Sequence, residues 1–142
     1  MKLPDANVLI YSTNTDARHH ESSRSWLDAA LSGADTVAFS WIPLLAFLRL
    51  ATKEGLFPRP LSYVEALDQI DEWLAAPPAV VIEPTVDHPR IVRQLLKEVG
   101  VAGDLVMDAH LAALSIEHKC VVVSYDNDFD RFEGVRSETP SS

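Results

Sequence analysis

The run from Gly103 to Phe129, G-D-L-V-M-D-A-H-L-A-A-L-S-I-E-H-K-C-V-V-V-S-Y-D-N-D-F, restricts the fold of this chain more than any other stretch. Wound at about 3.6 residues per turn, Leu105, Ala109, Ala112 and Ile116 form one face, and Val106, Met107, Ala113 and Leu114 occupy most of the remainder. A helix with so little polar surface belongs in an interior. Asp104, Asp108, Leu111 and Ser115 share one remaining line, which sets two carboxylates a turn apart on an apolar helix. An ionised carboxylate removed from water without a partner is costly enough to neutralise itself, so Asp108 calls for a counter-charge, and a metal ion is one. The following apolar run, Cys120 to Val123, has the character of a central parallel strand and delivers Ser124, Asp126 and Asp128 just beyond its end. In open α/β sheets ligands bind on that side.

The rest of the chain supplies further strands and helices in alternation. Met1 to Leu3 is a short strand broken by Pro4-Asp5, and Asp5 to Tyr11 turns helical. A helix over 19–31 and a strand over 36–39 follow. Ser40 is placed to cap a helix reaching Lys53, with Pro43 in its first turn. Ser62-Tyr-Val-Glu65 has the form of a capping box, opening a helix that ends at Pro77-Pro78. Ala79 to Ile82 reads as a strand, and Asp87 with Pro89 opens a helix closed by Gly100. A turn through Phe129 and Phe132 leads to a last edge strand near Val135, and 137–142 is expected to be a frayed tail. This order predicts one α/β domain with a largely parallel central sheet of four to five short strands flanked by helices.

Composition narrows the function. The 142 residues are 47% hydrophobic and 23% charged, suited to one folded domain. A single cysteine, Cys120, excludes an intrachain disulfide, and its place in an apolar strand suits a buried, inert thiol. No apolar h-region follows Met1 and no run is long enough to cross a membrane, so a cytoplasmic location is expected. The formal charge of −9 argues against broad electrostatic capture of nucleic acid, which rests on a basic surface. Nucleic-acid chemistry here must rely on a metal ion and on local cations, of which Arg18, Arg24, Arg49, Lys53 and Arg59 are the best placed.

Three acidic loci fall near one end of the predicted sheet: Asp5 after the first strand, Asp104 and Asp108 on the buried helix, and Asp126 with Asp128 after the fourth strand. Each alone is explained as a cap, a turn residue or a solvated charge. Together they form an oxygen-only donor set of the kind that suits Mg²⁺ or Mn²⁺, which bind through a few carboxylates and take up phosphate oxygens from a substrate. A metal there can polarise a phosphodiester and activate a water.

At these residues the sequence resembles the PIN-domain nucleases. D-A-N-V-L-I-Y at 5–11, D-A-H-L-A-A-L-S-I-E-H at 108–118 and V-S-Y-D-N-D-F at 123–129 look like the three blocks of the VapC toxins of bacterial toxin–antitoxin pairs. The resemblance implies a PIN domain over 1–136 and a Mg²⁺-dependent endoribonuclease acting on tRNA or rRNA, homodimeric and silenced by a VapB antitoxin. It also implies that Asp5, Asp108 and Asp126 are catalytic metal ligands, that Asn7 and Ser124 support the site, and that Asp128 belongs to its last block. Where the family has a Glu on the third helix, this chain has Phe47, which cannot bind a metal. The remaining acids are expected to suffice, with Asp104 compensating and Arg49 contacting phosphate. The alternative is a catalytically silent PIN-like module that keeps RNA or antitoxin binding.

Overall fold

Short apolar runs build the sheet. In a computed structural model, which describes residues 1–140, β1 (Lys2–Pro4), β2 (Val37–Phe39), β3 (Ala79–Val81), β4 (Val121–Val123) and β5 (Ser137–Glu138) pair in the order β3-β2-β1-β4-β5. Every pairing is parallel. The helices are α1 (Ala6–Thr13), α2 (His20–Leu31), α3 (Trp41–Thr52), α4 (Tyr63–Ala75), α5 (His88–Val99) and α6 (Val106–His118), with 3-10 turns at Gly103–Leu105 and Asn127–Arg131.

Side-chain alternation along the strands divides the interior in two. Val37 and Phe39 of β2 join Leu9, Leu44, Phe47, Ile70 and Trp73 beneath α1 to α4, whereas Ala38 between them joins Leu3, Val122 and the α5–α6 layer. On α6 the small residues Ala109, Ala112 and Ala113 are fully buried, which lets the helix lie close against the sheet. Its first turn departs from the all-buried expectation, since Val106 and Met107 are 41% and 59% exposed.

From β1 the chain crosses to β2 and β3 on one side and later returns to β4 on the other. The order therefore reverses between β1 and β4, and the crevice beyond their carboxyl ends is where such sheets take ligands. Pro4 pairs with Val123, so the two strands end in register.

The capping box expected at α4 is present: the Ser62 hydroxyl accepts from Glu65 N, and Glu65 Oε1 accepts from Ser62 N. Gly100 closes α5 in the left-handed region at φ 84°. Ser40 precedes α3 as expected, but its side chain makes no cap hydrogen bond. The edge strand lies at Ser137–Glu138, inside the expected tail and not at Val135. Val135 is drawn instead against the α5–α6 core, while Arg136 O and Glu138 O accept from Val122 N and Ser124 N. Ser141 and Ser142, also read as tail, lie outside the described residues.

Candidate active site

Asp5 leaves β1 with extended backbone and caps α1, its Oδ1 accepting from Ala6 N at 2.8 Å. Its other oxygen accepts from Ser124 Oγ at 2.8 Å. The Ser124 hydroxyl also receives Asn7 Nδ2 and Asp126 N, each at 3.0 Å. An amide nitrogen in either position only donates, so the single hydroxyl proton is committed to Asp5 and both lone pairs of Ser124 are used. Asn7 Oδ1 in turn accepts from Tyr125 N at 3.2 Å, which fixes the orientation of the Asn7 amide. One serine thus joins the ends of β1 and β4 through three partners.

Beyond Ser124 the chain turns immediately. Asp126 caps the 3-10 turn, its Oδ1 accepting from Asp128 N at 2.8 Å. That tight turn folds Asp128 back towards Asp126, and Asp108 meets both from the first turn of α6. Carboxylate oxygens of Asp108, Asp126 and Asp128 lie within 4.8 Å of one another.

The electrostatics follow from this crowding. Burial pushes the Asp108 carboxyl up to about 7, and the neighbouring charges of Asp126, Asp5 and Asp128 push it the same way. Burial also raises Asp5, against the opposing hydrogen bonds from Ser124 and Ala6. The nearest cation to the group is Arg131, 3.9 Å from Asp128 across a half-exposed gap. Hard oxygen donors that repel one another and hold a carboxyl near neutrality fit a divalent cation such as those bound in acidic phosphoryl-transfer sites.

The structure therefore brings Asp5, Asp108 and Asp126 to one end of the sheet and makes Asn7 and Ser124 the framework between them. Asp128 stands within the tightest carboxylate group, and Asp5 stands beside it. Asp104 is exposed, because the Gly103–Leu105 turn winds as a 3-10 segment with Gly103 at φ 53° and does not stack Asp104 over Asp108. Arg49 is exposed on α3. Phe47 is fully buried and packs its ring edge-on against Trp73, with centroids 4.8 Å apart, so α3 adds no carboxylate.

Tyr125 was not singled out from the sequence, yet its hydroxyl shares hydrogen bonds with Ser22 and Ser23 of α2. Its neighbours in the D-x-D loop were the available signal. The expected basic groups Arg18, Arg24, Arg49, Lys53 and Arg59 are all exposed.

Comparison with known proteins identifies the family and the fold. The family model described as PIN domain matches residues 2–135. The chain is 59% identical over 140 residues to Ribonuclease VapC37 of Mycobacterium tuberculosis, covering 99% of this chain and 97% of that protein. Ribonuclease VapC31 of the same species is 37% identical, with 99% of each chain covered. Among solved structures, VapBC2 from Rickettsia felis bound to a DNA fragment from their promoter superposes with a TM-score of 0.72 at 18% identity. That match covers 99% of this chain and 98% of the other.

Proposed function

Because the chain belongs to the PIN-domain family, and within it to the VapC ribonucleases, we propose that the crevice beyond β1 and β4 hydrolyses phosphodiester bonds in RNA. The observation that carries this reading is the group formed by Asp108, Asp126 and Asp128, with Asp5 held beside it by Ser124. Asp5, Asp108 and Asp126 are the catalytic ligands of a Mg²⁺ ion, with Mn²⁺ as a substitute, and Asp128 shares their charge. A divalent cation held by these residues would supply the positive charge that a phosphate needs to approach the carboxylates, and would polarise the phosphodiester for attack by water.

The chain's own residues prepare that chemistry. Ser124 aims Asp5 by donating a hydrogen bond to it, which favours the ionised form against the burial that raises this carboxyl. Asn7 holds the Tyr125 amide in place from α1, and Ser124 holds that of Asp126. Asp126 fixes the turn that brings Asp128 into the group. Arg49 and the other exposed cations supply local positive charge along the RNA path of a chain whose net charge is −9.

The protein is the toxin of a cytoplasmic toxin–antitoxin pair, works as a homodimer, cuts structured RNA such as tRNA or rRNA, and is silenced by a VapB antitoxin. The apolar residues left exposed on α3 and α4, including Trp41, Leu45, Tyr63 and Leu67, support a protein partner on that face.

Burial of Phe47 favours a second reading, a PIN module that binds RNA or antitoxin without cutting. Sequencing the 5′ ends of cellular RNA after brief induction separates the two. New ends that appear with the wild type and vanish with Asp126→Asn support hydrolysis; an identical end profile in both strains favours the silent module.

A further inference from the structure

Beside the acidic crevice three aromatic rings gather in a way that the metal chemistry does not use. The His19 ring lies parallel to that of Tyr125, with centroids 4.2 Å apart and planes 13° from parallel. Tyr11 is tilted against both, at 6.0 Å from His19 and 5.6 Å from Tyr125. All three are only half-buried, so part of the cluster faces solvent.

Two of the rings are tied to the crevice by a short covalent path, and His19 reaches it through its stack on Tyr125. Tyr125 sits between Ser124 and Asp126, and Tyr11 stands four residues beyond Asn7 on α1, an advance of about 6 Å. Tyr125 is pinned at both ends, its amide by Asn7 and its hydroxyl by Ser22 and Ser23. The two histidines differ in how they are held. His20 is buried, and its Nδ1 is fixed to Tyr11 O at 2.8 Å. His19 stands at the N-cap of α2 without a side-chain cap bond, and among the described residues its ring is held by aromatic contact and not by a hydrogen bond. A ring left on a rigid partner and free of hydrogen bonds is a stacking surface, and Arg18 next to it is an exposed cation.

We propose that His19, seated on Tyr125, is an RNA-binding residue that stacks an unpaired nucleobase of any type next to the phosphate held at the crevice, with Arg18 meeting the neighbouring backbone. This rests on RNA being the ligand. Bases of every type present a π face, and single-strand binders pair such rings with local positive charge. The covalent link that places Tyr125 between Ser124 and Asp126 is what sets a base stacked on His19 beside the crevice.

The test is fluorescence anisotropy at low salt with Ca²⁺ in place of Mg²⁺, so that a divalent cation offsets the carboxylates while cleavage is held off, and gel analysis of the probes shows that they stay intact. The probes are a short fluorescein-labelled single-stranded RNA of mixed sequence and a base-free ribose-phosphate strand of the same length. The expected result is that the wild type prefers the base-bearing strand about tenfold. His19→Ala brings the two affinities level, and His19→Phe restores the preference. Equal affinity of the wild type for both strands, no measurable binding to either, or an undiminished preference in His19→Ala overturns the proposal. The nuclease reading is judged separately: if the wild type leaves RNA uncut in Mg²⁺ yet keeps the base preference, hydrolysis is lost and the stacking surface stands.

Discussion

Ser124 Oγ donates to Asp5 Oδ2 at 2.8 Å, closing a gap of 119 residues in the chain with one hydroxyl proton. The bond sits where β1 and β4 end in register, so each partner fixes the other's strand end as well as its side chain. Ser124→Ala leaves Asn7 Nδ2 and Asp126 N without their acceptor and frees Asp5 to turn. We expect cleavage of RNA in Mg²⁺ to fall about 10- to 100-fold, the usual cost of losing a group that orients a metal ligand. Stability should fall by only about 1–2 kcal/mol. Single-turnover rates together with urea unfolding check both numbers, and an unchanged rate removes Ser124 from the site.

The crowding of Asp108 by Asp126, Asp5 and Asp128 has a consequence for stability. Unfolded, this carboxyl titrates near 3.8; folded, it titrates near 7, chiefly through burial. Between those values the native state holds a proton that the unfolded chain has released. The associated stability is therefore complete below about pH 4 and lost as pH rises through 7. In EDTA, Asp108→Asn should raise the melting temperature at about pH 8 by roughly 2–4 °C and by much less near pH 4. The same variant should lose cleavage in Mg²⁺ by more than about a hundredfold. A melting temperature at pH 8 equal to or below the wild type's contradicts the electrostatic account.

Phe47 marks where a family carboxylate is absent, and its surroundings decide what restoring one does. The side chain is fully buried among Leu9, Leu44, Ile70 and Trp73. Phe47→Glu should destabilise the fold by about 3 kcal/mol or more, since it removes ring packing and buries an unpaired charge. Phe47→Leu should cost about 1–2 kcal/mol. Thermal melts rank the two, and rates per folded molecule show whether a carboxylate here assists. A Phe47→Glu protein that melts like the wild type and cuts faster reassigns this position to the metal site.

Local chemistry made some features readable from sequence and left others hidden. Val121–Val123, the Ser62–Glu65 capping box and the Gly100 stop depend on patterns within a few residues, and the structure reproduces all three. The edge strand escaped because Ser137–Glu138 is two polar residues long, with no apolar period to mark it. Asp104 was placed by continuing α6 backwards at a regular pitch, but Gly103 adopts a left-handed φ and the helix starts only at Val106. For Asp128 the converse holds: its approach to Asp126 depends on a 3-10 turn that D-x-D spacing does not dictate. The His19–Tyr125 stack joins residues far apart in sequence, for which an isolated chain carries no local signal.

Away from the crevice, Glu117 is a buried carboxylate with a defined purpose in the fold. Its side chain is 1% exposed, and one oxygen accepts from Thr85 N at 2.7 Å and Thr85 Oγ1 at 2.6 Å. The other oxygen accepts from His88 Nδ1 at 2.5 Å, so that nitrogen carries the proton. His88 Nε2 is then left to meet His110 Nδ1 at 3.0 Å. The network fastens the entry of α5 to α6. Burial alone raises the Glu117 carboxyl, but the bonds from Thr85 and His88 outweigh it and hold the group below its ordinary value of 4.5. A lowered carboxyl stabilises the fold above that value, and the stability is lost as pH falls through the folded pKa. Glu117→Ala should therefore cost about 3 kcal/mol near pH 7, where it strands His88 and the Thr85 donors. The deficit should shrink below about pH 4, and RNA cleavage per folded molecule should stay at the wild-type level. Urea titrations of both proteins across that range decide the matter, because a deficit that stays constant with pH means that packing, and not the charged network, is what Glu117 contributes.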